Sequence, residues 1–182
     1  MKIILLNATT LPAWRHELAA LLIDAVASNA PVGYQQRLSR EEAESYFHSL
    51  RSDIAKGERL LWMARDAEGL AGSVQLELCQ KPDGQNRAEI QKLLVHSRAQ
   101  RQGVAQKLIL ALEHSALEHQ RGLLFLTTRS GSVSETFWCA QGYRRLGEIP
   151  DFASSPDGYF HPSVIYYKQL FAVNQIARPL AS

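Results

Sequence analysis

Cysteine and net charge are both scarce in this chain, and each scarcity removes a class of protein. Its 182 residues include two cysteines, Cys79 and Cys139, too few to staple a fold of this size. Both lie inside apolar stretches, and they read as buried free thiols of a reducing cytoplasm. Lys plus Arg number 20 against 18 Asp plus Glu, a net charge of +2. That balance lacks the electrostatic footprint of a protein that grips nucleic acid regardless of sequence. Nowhere do about 18 apolar residues run together, the length a spanning helix needs. The run Ile3-Ile4-Leu5-Leu6 stops at Asn7, too short for a signal-peptide core. The expectation is a cytoplasmic protein with neither membrane nor nucleic acid as partner. Metal chemistry finds no support either. His114 and His119 lack the same-face spacing of a zinc pair, and His16, His48, His96 and His161 form no ligand cluster. Gly131-Ser132-Val133-Ser134 does not match a nucleophile elbow.

What is present suits one globular domain. Hydrophobic residues make up 46% and charged residues 21%, which argues against disorder. A chain of this length buries roughly 70% of its unfolded surface. The pattern supports a domain over residues 1–170 and a mobile tail over 171–182, where the periodicity is lost. Lys2 to Ala8 reads as a strand. Trp14, Leu18, Leu21, Leu22 and Ala25 mark one helix face, with Pro12 in the first turn. Ser39-Arg40-Glu41-Glu42 has capping-box spacing and opens a helix to about Lys56, ended by Gly57. Strands follow at Arg59 to Arg65 and Leu70 to Gln80. In the second, Val74, Leu76 and Leu78 alternate with Ser73, Gln75 and Glu77, the period of a half-buried antiparallel strand.

The next strand, Arg87 to His96, is irregular. Ala88 and Ile90 share a face, yet position 92 is Lys and the apolar set resumes at Leu93 and Val95. Either a bulge near Lys92 shifts the phase by one residue, or the strand end is buried on both faces. A helix from Gly103 to Gln120 comes next, with Val104, Leu108, Ala111 and Leu112 on one face. Leu123-Leu124-Phe125-Leu126 is a continuous apolar run, expected as a parallel strand covered on both faces. Strand, helix, strand in that order implies a right-handed crossover. Ser132-Val133-Ser134-Glu135 is a second capping-box signal, opening a short helix that ends at Gly142. Tyr143 to Ile149 and Val164 to Leu170 can pair as antiparallel strands across the loop from Pro150 to Pro162.

The segment Leu93-Leu94-Val95-His96-Ser97-Arg98-Ala99-Gln100-Arg101-Gln102-Gly103-Val104-Ala105 carries the chemistry. It runs from a strand, through a loop with two Arg, into a helix opened by Gly. The first N–H groups of that helix have no internal partner, and its dipole favours an anion there. Gly103 lets main chain approach a ligand closely. Arg98, Arg101 and Lys107 are either cofactor-phosphate contacts or a solvated basic face. The segment is neither a Walker loop nor a dinucleotide fingerprint.

Gln100-x-x-Gly103-x-Ala105 and Phe137-Trp138-x-x-x-Gly142-Tyr143, in this element order, resemble the acyl-CoA-binding motif and the Phe-Tyr-x-x-x-Gly-Phe run of the GNAT superfamily of N-acetyltransferases. The resemblance reaches a toxin-resistance branch of that superfamily through Leu78-Cys79-Gln80-Lys81-Pro82, Asn86-Arg87-Ala88-Glu89, Gln91-Lys92-Leu93 and Arg121-Gly122-Leu123-Leu124. It implies an α/β GNAT fold: a mixed, mostly antiparallel sheet with one parallel strand pair splayed around an acyl-CoA cleft, and helices on both faces. It implies acetyl-CoA as co-substrate, no metal, a small-molecule amine as acceptor and a homodimer. Main-chain groups of Leu93, Leu94 and Val95 would meet the pantetheine arm. Gln100 belongs to the motif, and N–H groups of Arg101, Gln102, Gly103, Val104, Ala105 and Gln106 would hold the pyrophosphate. Ser132, Glu135 and Trp138 would line the far side of the cofactor, and Tyr34 would lie on the acceptor side.

Two positions depart from that branch. Its general base and general acid, an Asp and a Tyr, correspond here to Thr127 and Trp138. Thr takes no proton at neutral pH, and an indole N–H donates a hydrogen bond but no proton. Glu89, beside the suspected bulge, is the replacement candidate as base and as acceptor contact. The alternative for Glu89 is a surface carboxylate paired with Arg87 or Lys92. Tyr143, Tyr166 and Tyr167 are spare phenols or sheet packing residues. The rival to an acetyltransferase is a catalytically silent CoA-binding module.

Overall fold

A computed structural model describes residues 1–28, 30, 32–34, 38–154 and 159–172. Among the described residues, seven strands make one sheet in the order β1-β2-β3-β4-β5-β7-β6. Their ranges are β1 Lys2–Leu6, β2 Arg59–Asp66, β3 Gly69–Leu78, β4 Arg87–Val95, β5 Leu123–Arg129, β6 Arg144–Ser154 and β7 Phe160–Gln169. All neighbours are antiparallel except β4 and β5. Helix α4 (Val104–Glu118) joins β4 to β5 and returns the chain for the parallel pairing. This is the mixed sheet, with one parallel pair, that the sequence resemblance implies. Most of the expected tail lies outside the described residues, as do positions 155–158 between β6 and β7.

Each face of the sheet has its own core. On one side α4 and α5 (Val133–Ala140) pack Val104, Leu108, Leu112 and Trp138 over Val74, Leu76, Ala88, Ile90, Leu124 and Leu126. On the other, α1 (Leu11–Ala27), α2 (Arg40–Ser49) and α3 (Arg51–Ala55) cover Leu61, Met63 and Leu94 with Leu18, Leu22, Phe47 and partly buried Ile54. Among the described residues, no helix is long and apolar enough to cross a membrane.

Local chemistry accounts for the element boundaries. Ser39 closes the expected capping box on α2: its Oγ accepts from the Glu42 N–H at 3.2 Å, and the Glu42 carboxylate accepts from the Ser39 N–H at 2.8 Å. The expected single helix to Lys56 is interrupted at buried Leu50, which ends α2 and begins α3. The second expected box does not form. Ser132 Oγ donates to the Arg129 carbonyl, and the Glu135 carboxylate takes the Gly131 N–H and the Tyr166 hydroxyl instead. Neither thiol is buried: Cys79 is half-buried, and Cys139, the next residue round α5 from buried Trp138, is exposed.

Two strands differ from expectation in burial. Ser73 and Gln75 on β3 are fully buried, because α1 and α2 roof the face that their polarity assigned to water. On β5, Leu124, Leu126 and Thr128 are buried, whereas Leu123 and Phe125 are half-buried and Thr127 is exposed. The helical layer on the α1–α2 side does not fully cover this strand. Of the two readings of β4, the bulge is the one found. Gln75 pairs with Gln91 and Ser73 with Leu94, two steps on β3 against three on β4. Lys92 takes the extra step at φ 48°, which turns Leu94 into the α1–α2 core and Leu93 and Val95 toward the other.

Candidate active site at the β4–β5 splay

The parallel strands pair over only three positions, Arg87 with Leu123, Ala88 with Leu124 and Glu89 with Phe125. Beyond Glu89, β4 runs on to Val95 and β5 to Arg129 with no further pairing between them. Two strands that are neighbours at one end and unpaired at the other enclose a wedge. Glu89 stands at its vertex. Leu93, Leu94 and Val95 lie along one arm, with β3 on one side only, so part of their main chain faces the wedge unpaired.

The start of α4 stands at the end of that arm. Gly103 is its N-cap at φ 75° and offers no side-chain cap; a Cβ added there would meet nothing within 4 Å. Arg101 also has positive φ, 59°. The first intrahelical donor is the Lys107 N–H, which bonds the Gly103 carbonyl at 3.1 Å. The N–H groups of Val104, Ala105 and Gln106 therefore have no partner within the helix, at its positive end. This fits a pyrophosphate in its geometry and in its sign of charge. Gln100, Arg101 and Gln102 form the exposed approach, and the Gln102 amide donates to the Arg98 carbonyl at 3.0 Å. Arg98 is not free for phosphate: it holds Asp66 at 2.9 and 3.1 Å and the Leu70 carbonyl at 3.1 Å, bracing the β2–β3 turn. Arg101 and Lys107 remain exposed.

Register partners share a face, so one row of side chains crosses the sheet on the α1–α2 side: Arg59, Glu77, Glu89, Phe125, Tyr167 and Arg144. Behind its first half lies a partly buried polar network that sequence reasoning did not find. The Arg59 guanidinium donates to Gln75 at 2.9 Å, Gln91 at 2.8 Å and Glu77 at 2.6 Å. Gln91 donates to Glu77 at 2.9 Å, and the Gln75 amide donates to the Tyr46 hydroxyl of α2 at 2.9 Å. The alternation of Ser73, Gln75 and Glu77 was the available signal, but it is the same signal as a solvent-facing strand.

Glu89 ion-pairs with neither Arg87 nor Lys92, which settles its predicted pairing in the negative. It stands opposite Glu77, and burial together with that like charge holds its carboxyl above the ordinary carboxylate range, against the lowering pull of Gln91. Thr127 is two residues past the vertex on the same face of β5 as Phe125, exposed and opposite Ile165. Trp138 is 5% exposed, its ring edge-on to Phe137 and Tyr143 at 5.2 and 5.0 Å, in the position of a core residue. Two of the spare phenols are engaged. Tyr143 donates to Glu113 at 2.9 Å and Tyr166 to Glu135 at 2.7 Å; burial first, then these carboxylates, raise both hydroxyls well above their usual range. Ser132 Oγ pairs with Ser134 Oγ at 2.6 Å. Tyr34, half-buried, is edge-on to Tyr46 at 6.4 Å on the α1–α2 side. Among the described residues, no three His, Cys, Asp or Glu side chains gather as metal ligands.

Residues 29–153, more than half of the chain, match the sequence family described as the acetyltransferase (GNAT) domain. Solved structures agree on the fold. The ribosomal-protein-alanine N-acetyltransferase from Brucella melitensis superimposes with a TM-score of 0.75 at 19% identity, covering 93% of this chain and 100% of that one. The putative acetyltransferase yncA from Salmonella typhimurium, solved with its cofactor acetyl-CoA, gives 0.75 at 13% identity over 96% of each chain. An N-acetyltransferase from Staphylococcus aureus Mu50 gives 0.74 at 14% identity, covering 94% and 100%. With a family match over most of its length and this fold, the chain belongs to the GNAT acetyltransferases.

Proposed function

We propose that this enzyme transfers acetyl from acetyl-CoA to the amine of a small molecule, an amino-acid-like toxin or antibiotic, within the cytoplasm. The carrying observation is the end of β4–β5 pairing at Glu89, which sets a carboxylate of raised pKa at the vertex of the wedge. Residues 1–170 form the catalytic unit, and the protein works as a homodimer. The reading of the acceptor follows the resemblance to the tabtoxin resistance protein in the shared sequence stretches.

Bound acetyl-CoA supplies an activated thioester that a neutral amine attacks directly, with no covalent enzyme intermediate. Leu93, Leu94 and Val95 orient its acyl arm through main-chain groups. Fixed main-chain donors that polarise the thioester oxygen follow oxyanion-hole logic. Gln100 shapes the loop, and N–H groups from Arg101, Gln102 and Gly103 through Val104, Ala105 and Gln106 hold the pyrophosphate. Ser132, Glu135 and Trp138 shape the far wall, and Tyr34 the acceptor side.

Glu89 accepts the proton that the attacking amine sheds, directly or through one water. An aliphatic ammonium with pKa near 10.4 must lose that proton, so the base is indispensable. The acid is less so: a thiol of pKa near 8.5, by analogy with free Cys, leaves as thiolate with little help. Thr127 and Trp138 therefore occupy the branch's base and acid positions without doing either job.

The test is thiol release from acetyl-CoA across a panel of small amines, with Thr127→Asp plus Trp138→Tyr beside the parent. Turnover by the parent that Glu89→Gln abolishes, with acetyl-CoA binding intact, supports the proposal. No release by the parent and a gain in the double variant instead identify a silent CoA-binding module.

A further inference from the structure

The extra residue of the β4 bulge does more than reset the strand. Lys92 sends its ammonium toward the segment between α1 and α2, where it donates to the Val32 carbonyl. Its Nζ lies 5.1 Å from the ring centroid of Tyr34 and 5.7 Å from that of Tyr46. A Cβ on Gly33 would sit 3.4 Å from the same nitrogen, so the main chain closes in on this ammonium from a second direction. Lys92 is half-buried, and no described carboxylate pairs with it. Burial first, and then the like charge of Arg59, lower the Lys92 pKa.

An ammonium carries three donors. One carbonyl uses one of them, and two ring faces offset part of the charge without neutralising it. Half-burying a lysine with no counter-ion disfavours the free protein, unless an anion completes the site. The same face of the same strand carries the complementary defect: Glu89 is half-buried, ion-pairs with no described residue and faces Glu77. Between the two lies the polar network of this face: the Tyr46 ring 5.7 Å from the ammonium, the Tyr46 hydroxyl bonded to Gln75, and Gln75 and Gln91 joined by Arg59. Three steps along β4 separate this cation without a counter-ion from the Glu89 carboxylate, about 10 Å of strand at ~3.3 Å per residue.

We propose that Lys92 is a specificity-determining residue of the acceptor site, binding a carboxylate of the acceptor whose amine is turned toward Glu89. The acceptor is then a zwitterion, an amino acid or a short peptide with a free carboxylate, and not a polycationic amine. The proposal rests on the acetyltransferase reading above for the identity of the site. It adds the charge of the acceptor and the residue that reads it.

The test compares matched amines differing only in that charge: free L-amino acids and glycyl dipeptides against their C-terminal amides, with spermidine as polycation. Thiol release from acetyl-CoA is measured for the parent, Lys92→Gln and Lys92→Arg. Gln keeps a donor for the Val32 carbonyl but no charge; Arg keeps the charge. In the parent, kcat/KM favours the carboxylate over the amide by about tenfold or more, the worth of a charge-assisted hydrogen bond. Lys92→Gln reduces the preference to near unity through KM, and Lys92→Arg retains most of it. Equal use of carboxylate and amide by the parent overturns the proposal, as does a preference unchanged in Lys92→Gln, while either result leaves the acetyltransferase reading standing. If no amine gives turnover, the same pairs are compared as ligands of the protein–CoA complex by saturation-transfer NMR. Tighter carboxylate binding that Lys92→Gln erases supports Lys92 independently of catalysis, and its absence overturns it.

Discussion

On the α4–α5 side of the wedge the groups offered to a ligand belong to the main chain; on the α1–α2 side they belong to side chains. The first side is an apolar core, Val104, Leu108, Leu112, Ile90 and Leu126, that holds a helix start and a strand arm in place. Any sequence that packs this core and puts a residue tolerant of φ 75° at position 103 presents the same N–H groups. The second side carries Arg59, Gln75, Glu77, Glu89, Gln91 and Lys92 under a roof of two helices. There each residue is a choice of side chain. On the proposed function, the cofactor needs only a shape and the acceptor needs particular charges.

The strongest way to sharpen this contrast is Glu89→Gln. Turnover should fall by about 10²–10⁴-fold, the usual worth of a positioned base, while calorimetric affinity for acetyl-CoA stays within a factor of two or so. An equal loss of both would erase the division between the faces.

A pair of stability measurements breaks the comparison differently. Leu108→Ala opens a cavity in the cofactor-side core and should cost about 2–5 kcal/mol in urea denaturation, without altering selectivity among acceptors. Arg59→Met removes the hub of the polar network, where Arg59 is 9% exposed but the Glu77 side chain is 46% exposed. With that partner half in water, the cost should be about 2–3 kcal/mol, below that of a fully buried pair. Here acceptor KM should rise as well.

The raised pKa of Glu89 fixes the sign of two pH effects. As a base it works ionised, so the acid limb of kcat/KM should lie above the ordinary carboxylate range and disappear in Glu89→Gln. For stability, a carboxyl whose folded pKa exceeds its unfolded value contributes fully below the unfolded value, and that contribution is lost as pH rises through the folded one. The parent should therefore lose more thermal stability than Glu89→Gln between acid and neutral pH. The smallest effect belongs to Ser39→Ala at the α2 capping box, about 1 kcal/mol of stability, with kinetic constants unchanged.

Much of the β4–α4–β5 unit was legible in the sequence because its signals are periodic or local. The slip between Ile90 and Leu93 left a bulge as one of two readings, Gly103 marked the helix start, and the strand–helix–strand order marked the crossover. The α1–α2 side was harder to read for a physical reason. Gln75 and Ser73 look like solvent-facing residues until α1 and α2 are known to lie over them, and hydrogen bonding from Arg59 and Tyr46 makes the burial of Gln75 tolerable. Arg98 fits neither of its two readings for a similar reason: its partner Asp66 lies 32 residues away in sequence. Ser132-Val133-Ser134-Glu135 matched a capping box, but the Tyr166 hydroxyl and the Gly131 N–H compete for the Glu135 carboxylate. Local patterns fail where a tertiary partner offers a better bond.

The most direct measurement is calorimetric titration of acetyl-CoA into the parent, Arg101→Ala and Gly103→Pro. Main-chain recognition at the start of α4 predicts saturable binding by the parent, a modest loss in Arg101→Ala, and near-complete loss in Gly103→Pro, because proline cannot adopt the φ of 75° at this cap. Absence of heat with the parent, or undiminished affinity in a folded Gly103→Pro, would contradict the account.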